Sequence, residues 1–520
     1  MVEAYPPPQT VNVPPEVRPF IRLDEYPQRA SVAGAIFVSP DPEGGFEARV
    51  RGRRIEVRFD PPLPPDRTVV ITFGTGIKDL NGNSMAAPYT LAFSTGDSID
   101  QAGIEGRVEE LEDPAATWVW AYPLEAAPDT AAYWPDPRVH RAPFASQPDA
   151  GGFFRFSYLP PGPYRVFAVT DMRRNRLWDS AAEAIAIPPA DAAASPDAIP
   201  TLNLRLAPHD LWPPDLQEAS ALHRQALRLG FDEPVDLSAM RVFIQAQDGQ
   251  ELAVIQQYRD PADSSGALLT TAPQRPDDVY QVRVDGVADL AGNVADSLTA
   301  EAPASVQADT LGPRLTWNRP VAGQTEVNPA DTLAVGFSEA VILTDLPRAV
   351  HLLDSAGAEV AVNWIYPEPA LGQLVPQVPL AGDRRYRLEV WGDSLRDIWG
   401  NVAPESLAVI QFTTLDPDAT GSISGRVENS PPEARVVIER HGMEGSRQAP
   451  VEQGGYEFPQ LPAGSYRLWL YRDLDGNRAY SPGRVDSVIT FAEPFAFGPD
   501  TVRVRPRWDT EDVNLQWPAE

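Results

Sequence analysis

Asp79-Leu80-Asn81-Gly82-Asn83 returns as Asp289-Leu290-Ala291-Gly292-Asn293 and again as Asp397-Ile398-Trp399-Gly400-Asn401. A pattern that recurs three times in one chain marks repeated structural units and limits the fold to an array of them. Its surroundings repeat as well. Glu25, Glu233 and Glu339 precede the three aspartates by 54, 56 and 58 residues. Two copies run on to a Phe-x-Thr ending, Phe93-Ser94-Thr95 and Phe412-Thr413-Thr414. Asp and Asn side chains fold back onto nearby N–H groups, and glycine supplies a left-handed residue. Asp79, Gly82, Asn83, Asp289, Gly292, Asn293, Asp397, Gly400 and Asn401 therefore read as structural turns placed before a closing strand.

A second repeat fills the gaps between these units. Gly103-Ile104-Glu105-Gly106-Arg107-Val108-Glu109 matches Gly421 to Glu428, and Leu159-Pro160-Pro161-Gly162-Pro163-Tyr164 matches Leu461-Pro462-Ala463-Gly464-Ser465-Tyr466. With the first repeat called type A and the second type B, the order is A-B-A-A-B. The boundaries fall at 1–98, 209–308 and 309–416 for type A, and at 99–208 and 417–520 for type B. Period-two alternation, as in Ile55, Val57 and Phe59, is frequent and clear helical periods are scarce, which predicts an all-β chain. The 56 prolines in 520 residues punctuate short strands. In the Leu-Pro-x-Gly-x-Tyr segments, proline and glycine set a tight turn that delivers Tyr164 or Tyr466 inward, and Gly464 would resist substitution if its φ is positive. Short linkers predict a semi-rigid rod. The Ala/Pro/Asp tract from Ser180 to Pro200 reads as a long surface loop, and Leu216 to Leu229 as room for a short helix. Aligning Gln9-Thr10-Val11 on Gln324-Thr325-Glu326 places Met1 inside a strand, which predicts a longer natural start carrying an export signal.

At these motifs the type A unit resembles the bacterial Ig-like domain of the S-layer (SbsA) type, and the type B unit resembles the carboxypeptidase regulatory-like, or transthyretin-like, domain. The combination is similar to Ig-like surface lipoproteins of Gram-negative bacteria. The resemblance implies a tandem array of antiparallel β-sandwich modules, exported to the cell surface, outer membrane or periplasm. The module at 209–308 is the divergent one, because Glu301 to Val306 lacks the Phe-x-Thr ending.

Composition narrows the function. A net charge of −30, with 42 Arg and the single Lys78, argues against nucleic acid, whose phosphates need basic patches. Cysteine is absent, which excludes disulfides, thiolate metal sites and a Cys nucleophile in this chain. No apolar run reaches the ~18–20 residues of a membrane span, so membrane attachment is expected only through a lipid anchor upstream. Gly421-Ser422-Ile423-Ser424-Gly425 imitates a nucleophile elbow but has Ile423 where the serine belongs. The five histidines form no His-x-x-x-His pair. Neither type B unit contains lysine, so a Lys–Asn cross-link is excluded there. No enzyme and no cofactor are expected.

Three candidate sites remain. Asp79, Asn81 and Asn83 could offer oxygens to calcium, but Ala291 and Trp399 replace the middle residue in the sister copies, which favours a turn. Asp473, Asp475 and Asn477 place oxygens at alternate positions and are the sharper calcium candidates. The EF-hand spacing fails there, and Arg173 stands in for Asp475 in the sister loop. Trp118, Trp120 and Tyr122 alternate on one strand, with Trp134 following. They read either as inward core residues, like Val436 and Ile438 at about the same place in the second type B unit, or as a ladder for stacking sugars. The expected function is a non-enzymatic surface scaffold or adhesion-like protein binding an unknown protein or glycan. A carbohydrate-binding protein, a calcium-stabilised adhesin and an accessory subunit of a secreted enzyme complex are the alternatives.

Overall fold

The computed structural model describes residues 2–124, 135–443, 445–486 and 489–518. Its regular secondary structure is almost wholly strand, and the only α-helical turn among the described residues is Leu346–Ala349. No helix there is long and apolar enough to cross a membrane.

The three type A modules share one plan. In the first, Glu3–Tyr5, Phe20–Arg22, Arg54–Phe59 and Phe46–Arg51 form a four-stranded sheet, and Ile36–Ser39, Thr68–Phe73 and Tyr89–Ser94 a three-stranded one. The fourth module repeats this with Leu315–Arg319, Leu333–Phe337, Leu371–Pro376 and Val362–Glu368 over Val350–Leu353, Arg385–Val390 and Ala408–Thr413. The third does so with four strands between Leu216 and Thr271 over Arg241–Ala246, Val279–Asp285 and Leu298–Pro303. Alternation along each strand sends every second side chain into the space between the sheets. Ile55 and Val57 are fully buried against Ile71, Leu91 and Phe93. Each such side chain contributes about 1.5–3 kcal/mol. Each Asp-x-x-Gly-Asn segment lies between the middle and the closing strand of the three-stranded sheet.

The two type B modules share a different plan. Ala102–Glu109 pairs antiparallel with Phe153–Leu159 but parallel with the closing strand Thr201–Arg205. Thr420–Glu428 likewise pairs antiparallel with Gly455–Pro462 and parallel with Asp509–Thr510 and Leu515–Gln516. Tyr164 and Tyr466 are buried, and their hydroxyls donate to the carbonyls of Pro160 (3.0 Å) and Pro462 (2.6 Å), tying each ring back to its own turn. Gly464 does not adopt a positive φ, and a Cβ there would meet only the flexible Arg440 side chain.

Three expectations from the sequence need correction. Leu216 to Leu229 is not helical: Leu216–His223 and Ala226–Phe231 form a hairpin whose second strand is held by Asp263–Thr271. Pairing on both sides overrides the local helix preference. The tract from Ser180 to Pro200 is not one loop. Ile185–Ala186 and Ala192–Ala194 both pair with Gly162–Thr170, and Ala186, Ala192 and Ala194 enter the core of the second module. Small side chains fit where the sheet passes close. Nor is the array a rod, because modules far apart in sequence touch. Arg467 of the fifth module pairs with Glu109 of the second at 3.0 Å, and the guanidinium of Arg484 donates to Ala291 and Asn293 of the third. Arg440 of the fifth reaches Glu326 of the fourth (2.7 Å). With the neighbour contacts between first and second and between third and fourth modules, the chain returns on itself around the second.

Candidate functional site

The strand Thr117–Pro123 shows why. Its Val119 and Ala121 belong to the core of the second module. Trp118, Trp120 and Tyr122 point to the opposite face, the outside of the sandwich, where period two must send them. That face is sealed. Phe37 of the first module and Val485 of the fifth join these three rings, with Phe167, Val169, Trp178, Ile185 and Ile187, in one buried cluster. Trp118 is 5% exposed, and Trp120 and Tyr122 are fully buried. The Phe37 and Trp118 ring centroids lie 5.6 Å apart, and the Tyr122 hydroxyl donates to the His140 carbonyl (2.9 Å). Burial pushes the Tyr122 hydroxyl far above its ordinary pKa.

These rings are neither a sugar ladder nor the inward face of their own sandwich. Stacking on a sugar needs an exposed ring face, and none of the three has one. Trp134 lies outside the described residues. The strand registers also correct the comparison with the sister module. Tyr164 pairs with Pro123 and Tyr466 with Arg440. Val119 and Ala121 therefore correspond to Val436 and Ile438, and the aromatic positions to Arg435, Val437 and Glu439. A one-residue slip exchanges the two faces of a strand.

Polar contacts frame the seal. On the first-module side, the Thr75 N–H donates to Gln147 Oε1 (2.6 Å), the Ala145 N–H donates to Ser39 Oγ (3.1 Å), and Arg176 pairs with Asp41 (2.7 Å). On the fifth-module side, Arg467 donates to Glu109 (3.0 Å), Glu110 (2.9 Å) and Glu439 (2.5 Å). Arg205 lies over the Trp469 ring, 4.2 Å from its centroid. Burial raises the Glu109 carboxyl, against the pull of Arg467 and Arg107.

His209 closes the same interface: its Nε2 accepts the Val485 N–H (3.2 Å), which requires the neutral ring. Burial, with Arg484 and Arg138 nearby and Asp210 opposing, lowers its pKa from 6.5 to about 4. A folded-state pKa below the unfolded one gives stability that is complete above pH 6.5 and disappears as pH falls toward about 4. The loss amounts to about 3 kcal/mol. In a denaturation series over that range, His209→Gln, which keeps an acceptor but does not titrate, is expected to lose this part of the acid dependence.

The three turns are built alike. Asp79 Oδ1 accepts the N–H groups of Asn81 and Asn83 (both 2.8 Å), and its Oδ2 accepts the Asn83 amide (2.7 Å). Asp397 repeats this with Trp399 and Asn401, and Asp289 with Asn293. Gly82, Gly292 and Gly400 have φ of 90°, 84° and 94°. The Asn83 amide is the main influence holding Asp79 down at about 2. In the first and third turns the middle residue contributes only its backbone N–H, and in the second Asp289 is held by Asn293 without it, so the side chains of Asn81, Ala291 and Trp399 are not required. Asp473 and Asp475 are similarly occupied: Asp473 accepts the N–H groups of Gly476 and Arg478, and Asp475 accepts from Asn477 and Ser481. The Asn477 side-chain Oδ1 accepts the Ala479 N–H (2.6 Å) and is engaged within the loop. Glu493, far along the chain, completes the loop by accepting the N–H groups of Leu474 and Ser481. Glu183 does the same beside Asp171 in the sister loop, accepting from Arg173 and Asp179. A shared acid pair with one loop lacking Asp475 is a loop-building device.

The early glutamate of each type A repeat meets the turn aspartate in space. Glu25 is raised chiefly by its hydrogen bond with Asp79. Asp210, Glu233 and Asp289 gather where the second module meets the third, and His223, Asp309 and Glu339 where the third meets the fourth. Burial and then Asp210 raise Glu233 to about 7. Burial, Asp309 and Asp397 raise Glu339 to about 8. The motif spacing carried the Glu–Asp pair, but Asp210, Asp309 and His223 lie outside it and had no signal of their own.

Residues 1–95 and 309–414 match the family model described as bacterial Ig-like domain. No curated protein matches the chain. Among solved structures, the N-terminal part of the bacterial S-layer protein SbsC is 13% identical, with a TM-score of 0.18 over 39% of this chain. The chain spans 44% of that structure's length. Sidekick-1 immunoglobulin domains 1–4 are 10% identical, with a TM-score of 0.22 over 73% of this chain and 97% of theirs. An L,D-transpeptidase from Mycobacterium smegmatis is 15% identical, with a TM-score of 0.17 over 30% of this chain and 76% of its own. At such TM-scores none of them bears on function. The chain is an all-β tandem array of sandwich modules, of which the first and fourth match the bacterial Ig-like domain family.

Proposed function

We propose that this protein is a non-enzymatic, exported bacterial scaffold that holds its modules in one fixed arrangement at the cell surface or in the periplasm. The match of two modules to the bacterial Ig-like family supports the surface setting. The observation that carries the scaffold reading is the sealed aromatic cluster, in which side chains of the first, second and fifth modules share one core. An array meant only to extend would leave its modules to meet end to end. Here an aromatic face of the second module is used to fasten its neighbours, and the type B modules, read as transthyretin-like sandwiches, act as the fasteners. A cavity of about 880 Å³ beside this seal is lined by Glu110, Asp113, Glu183, His209 and Trp212. Its histidine accepts the Val485 N–H and is taken up by the interface.

Fractionation of the source bacterium with an antibody to the chain, followed by protease shaving of intact cells, tests this reading. The protein is expected in the exported fractions, and recovery in the cytosol alone would overturn the proposal.

A further inference from the structure

We infer that the junction between the third and fourth modules binds one divalent metal ion through the carboxylates of Asp309 and Glu339. His223 lies beside Asp309 there without being a ligand. Asp309 lies in the connector between the modules, Glu339 follows the second strand of the fourth, and His223 ends the first strand of the third. One donor atom from each lies within 4.8 Å of the other two.

The second observation is Asp309 itself. Its side chain is only 9% exposed. Oδ1 accepts the Leu311 N–H (3.1 Å), which orients the carboxylate. Oδ2 is buried and accepts no N–H or hydroxyl, and the side-chain group that meets Asp309 is the Glu339 carboxyl, which their contact helps to raise. The nearest ring nitrogen, His223 Nε2, is 3.7 Å away, beyond hydrogen-bond reach. A buried carboxylate oxygen that accepts no N–H is costly. Another carboxylate beside it adds repulsion, and Asp397, fully buried, adds a third negative charge. A divalent cation relieves all three at once.

The tautomer of His223 decides which atoms are donors. The Gln225 N–H donates to Nδ1 (3.2 Å), so the proton of the neutral ring sits on Nε2, facing Asp309. The ring edge packs against Trp399, with centroids 4.5 Å apart. An ion bound through Nε2 would have to expel that proton and break the Gln225 contact. An ion bound by the carboxylates leaves both in place, with the imidazole N–H turned to Asp309. Oxygen donors suit hard cations such as Ca²⁺ or Mn²⁺ over Zn²⁺. The sister acids Asp210, Glu233 and Asp289 lack a histidine, and Asp210 is exposed.

Isothermal titration of the EDTA-treated full chain with CaCl2, MnCl2 and ZnCl2 tests the assignment, with thermal melts run in parallel. Ca²⁺ or Mn²⁺ is expected to bind and raise the melting temperature. Glu339→Gln and Asp309→Asn should each weaken the site at least tenfold, lowering the stoichiometry by one at micromolar ion. His223→Gln should weaken it only severalfold, and Asp475→Asn should leave it unchanged. Binding selective for Zn²⁺ and abolished by His223→Gln would overturn the donor assignment. A proton held between Glu339 and Asp309 would relieve the same crowding. Absence of binding, together with a Glu339→Gln variant that melts higher without metal, would establish that proton and overturn the metal site.

Discussion

Trp120→Ala is expected to destabilise the full chain by about 3–5 kcal/mol, the range for removing a buried aromatic side chain. Trp120→Phe is expected to cost far less. Trp120 is fully buried among rings of its own module, Phe37 of the first and Val485 of the fifth. Alanine therefore opens a cavity shared by three modules, which none can close alone. Phenylalanine keeps most of the packing and removes the indole Nε1, a buried donor with no hydrogen-bond partner. Urea denaturation followed by circular dichroism, with limited proteolysis to identify the module released, measures both variants. A Trp120→Ala protein that unfolds like the parent but loses binding to a glycan would return the strand to the surface and contradict the seal.

The second large effect concerns Arg467. One guanidinium holds Glu109 and Glu110 of the second module and Glu439 of its own. The Arg467 side chain is 27% exposed and that of Glu109 only 10%. Arg467→Ala leaves these carboxylates crowded and unpaired. Breaking one side of a buried pair costs 3–5 kcal/mol, and partial exposure brings the expected loss here to about 2–3 kcal/mol. The loss should appear as separation of the modules before their unfolding. Small-angle scattering is expected to show a larger radius of gyration in Arg467→Ala. Glu109→Gln in the same chain should restore part of the compactness, because it removes one of the stranded charges. An unchanged scattering profile in the single variant would show that apolar packing alone holds the fifth module.

The repeats were legible because turns announce themselves locally. Asp, Gly and Asn within five residues make nearly all the hydrogen bonds of the Asp79, Asp289 and Asp397 turns, so their identity and spacing carry the information. The strand Arg54–Phe59 was legible for the same reason, since alternation is written in adjacent residues. Trp118, Trp120 and Tyr122 were legible as one face and illegible as to which. Both faces of Thr117–Pro123 are apolar, so alternation could not separate inside from outside. The comparison with the sister strand then slipped by one position, which only the pairing of Tyr164 with Pro123 and Tyr466 with Arg440 corrects. Glu493, His209 and Asp309 escaped because their partners are distant in the chain or backbone N–H groups that no side chain marks.

Local sequence was enough for an all-β chain with two kinds of repeat, the place of each turn, and the inward tyrosines of Leu-Pro-x-Gly-x-Tyr. These depend on contacts within a few residues or on period two, and a linear string records both. That the array closes on its second module came from tertiary contacts alone. They also decided that the aromatic strand is an internal seam and that acids from separate repeats converge at the junctions. Such contacts join residues hundreds of positions apart, and their energy depends on which apolar faces remain uncovered once each sandwich has formed.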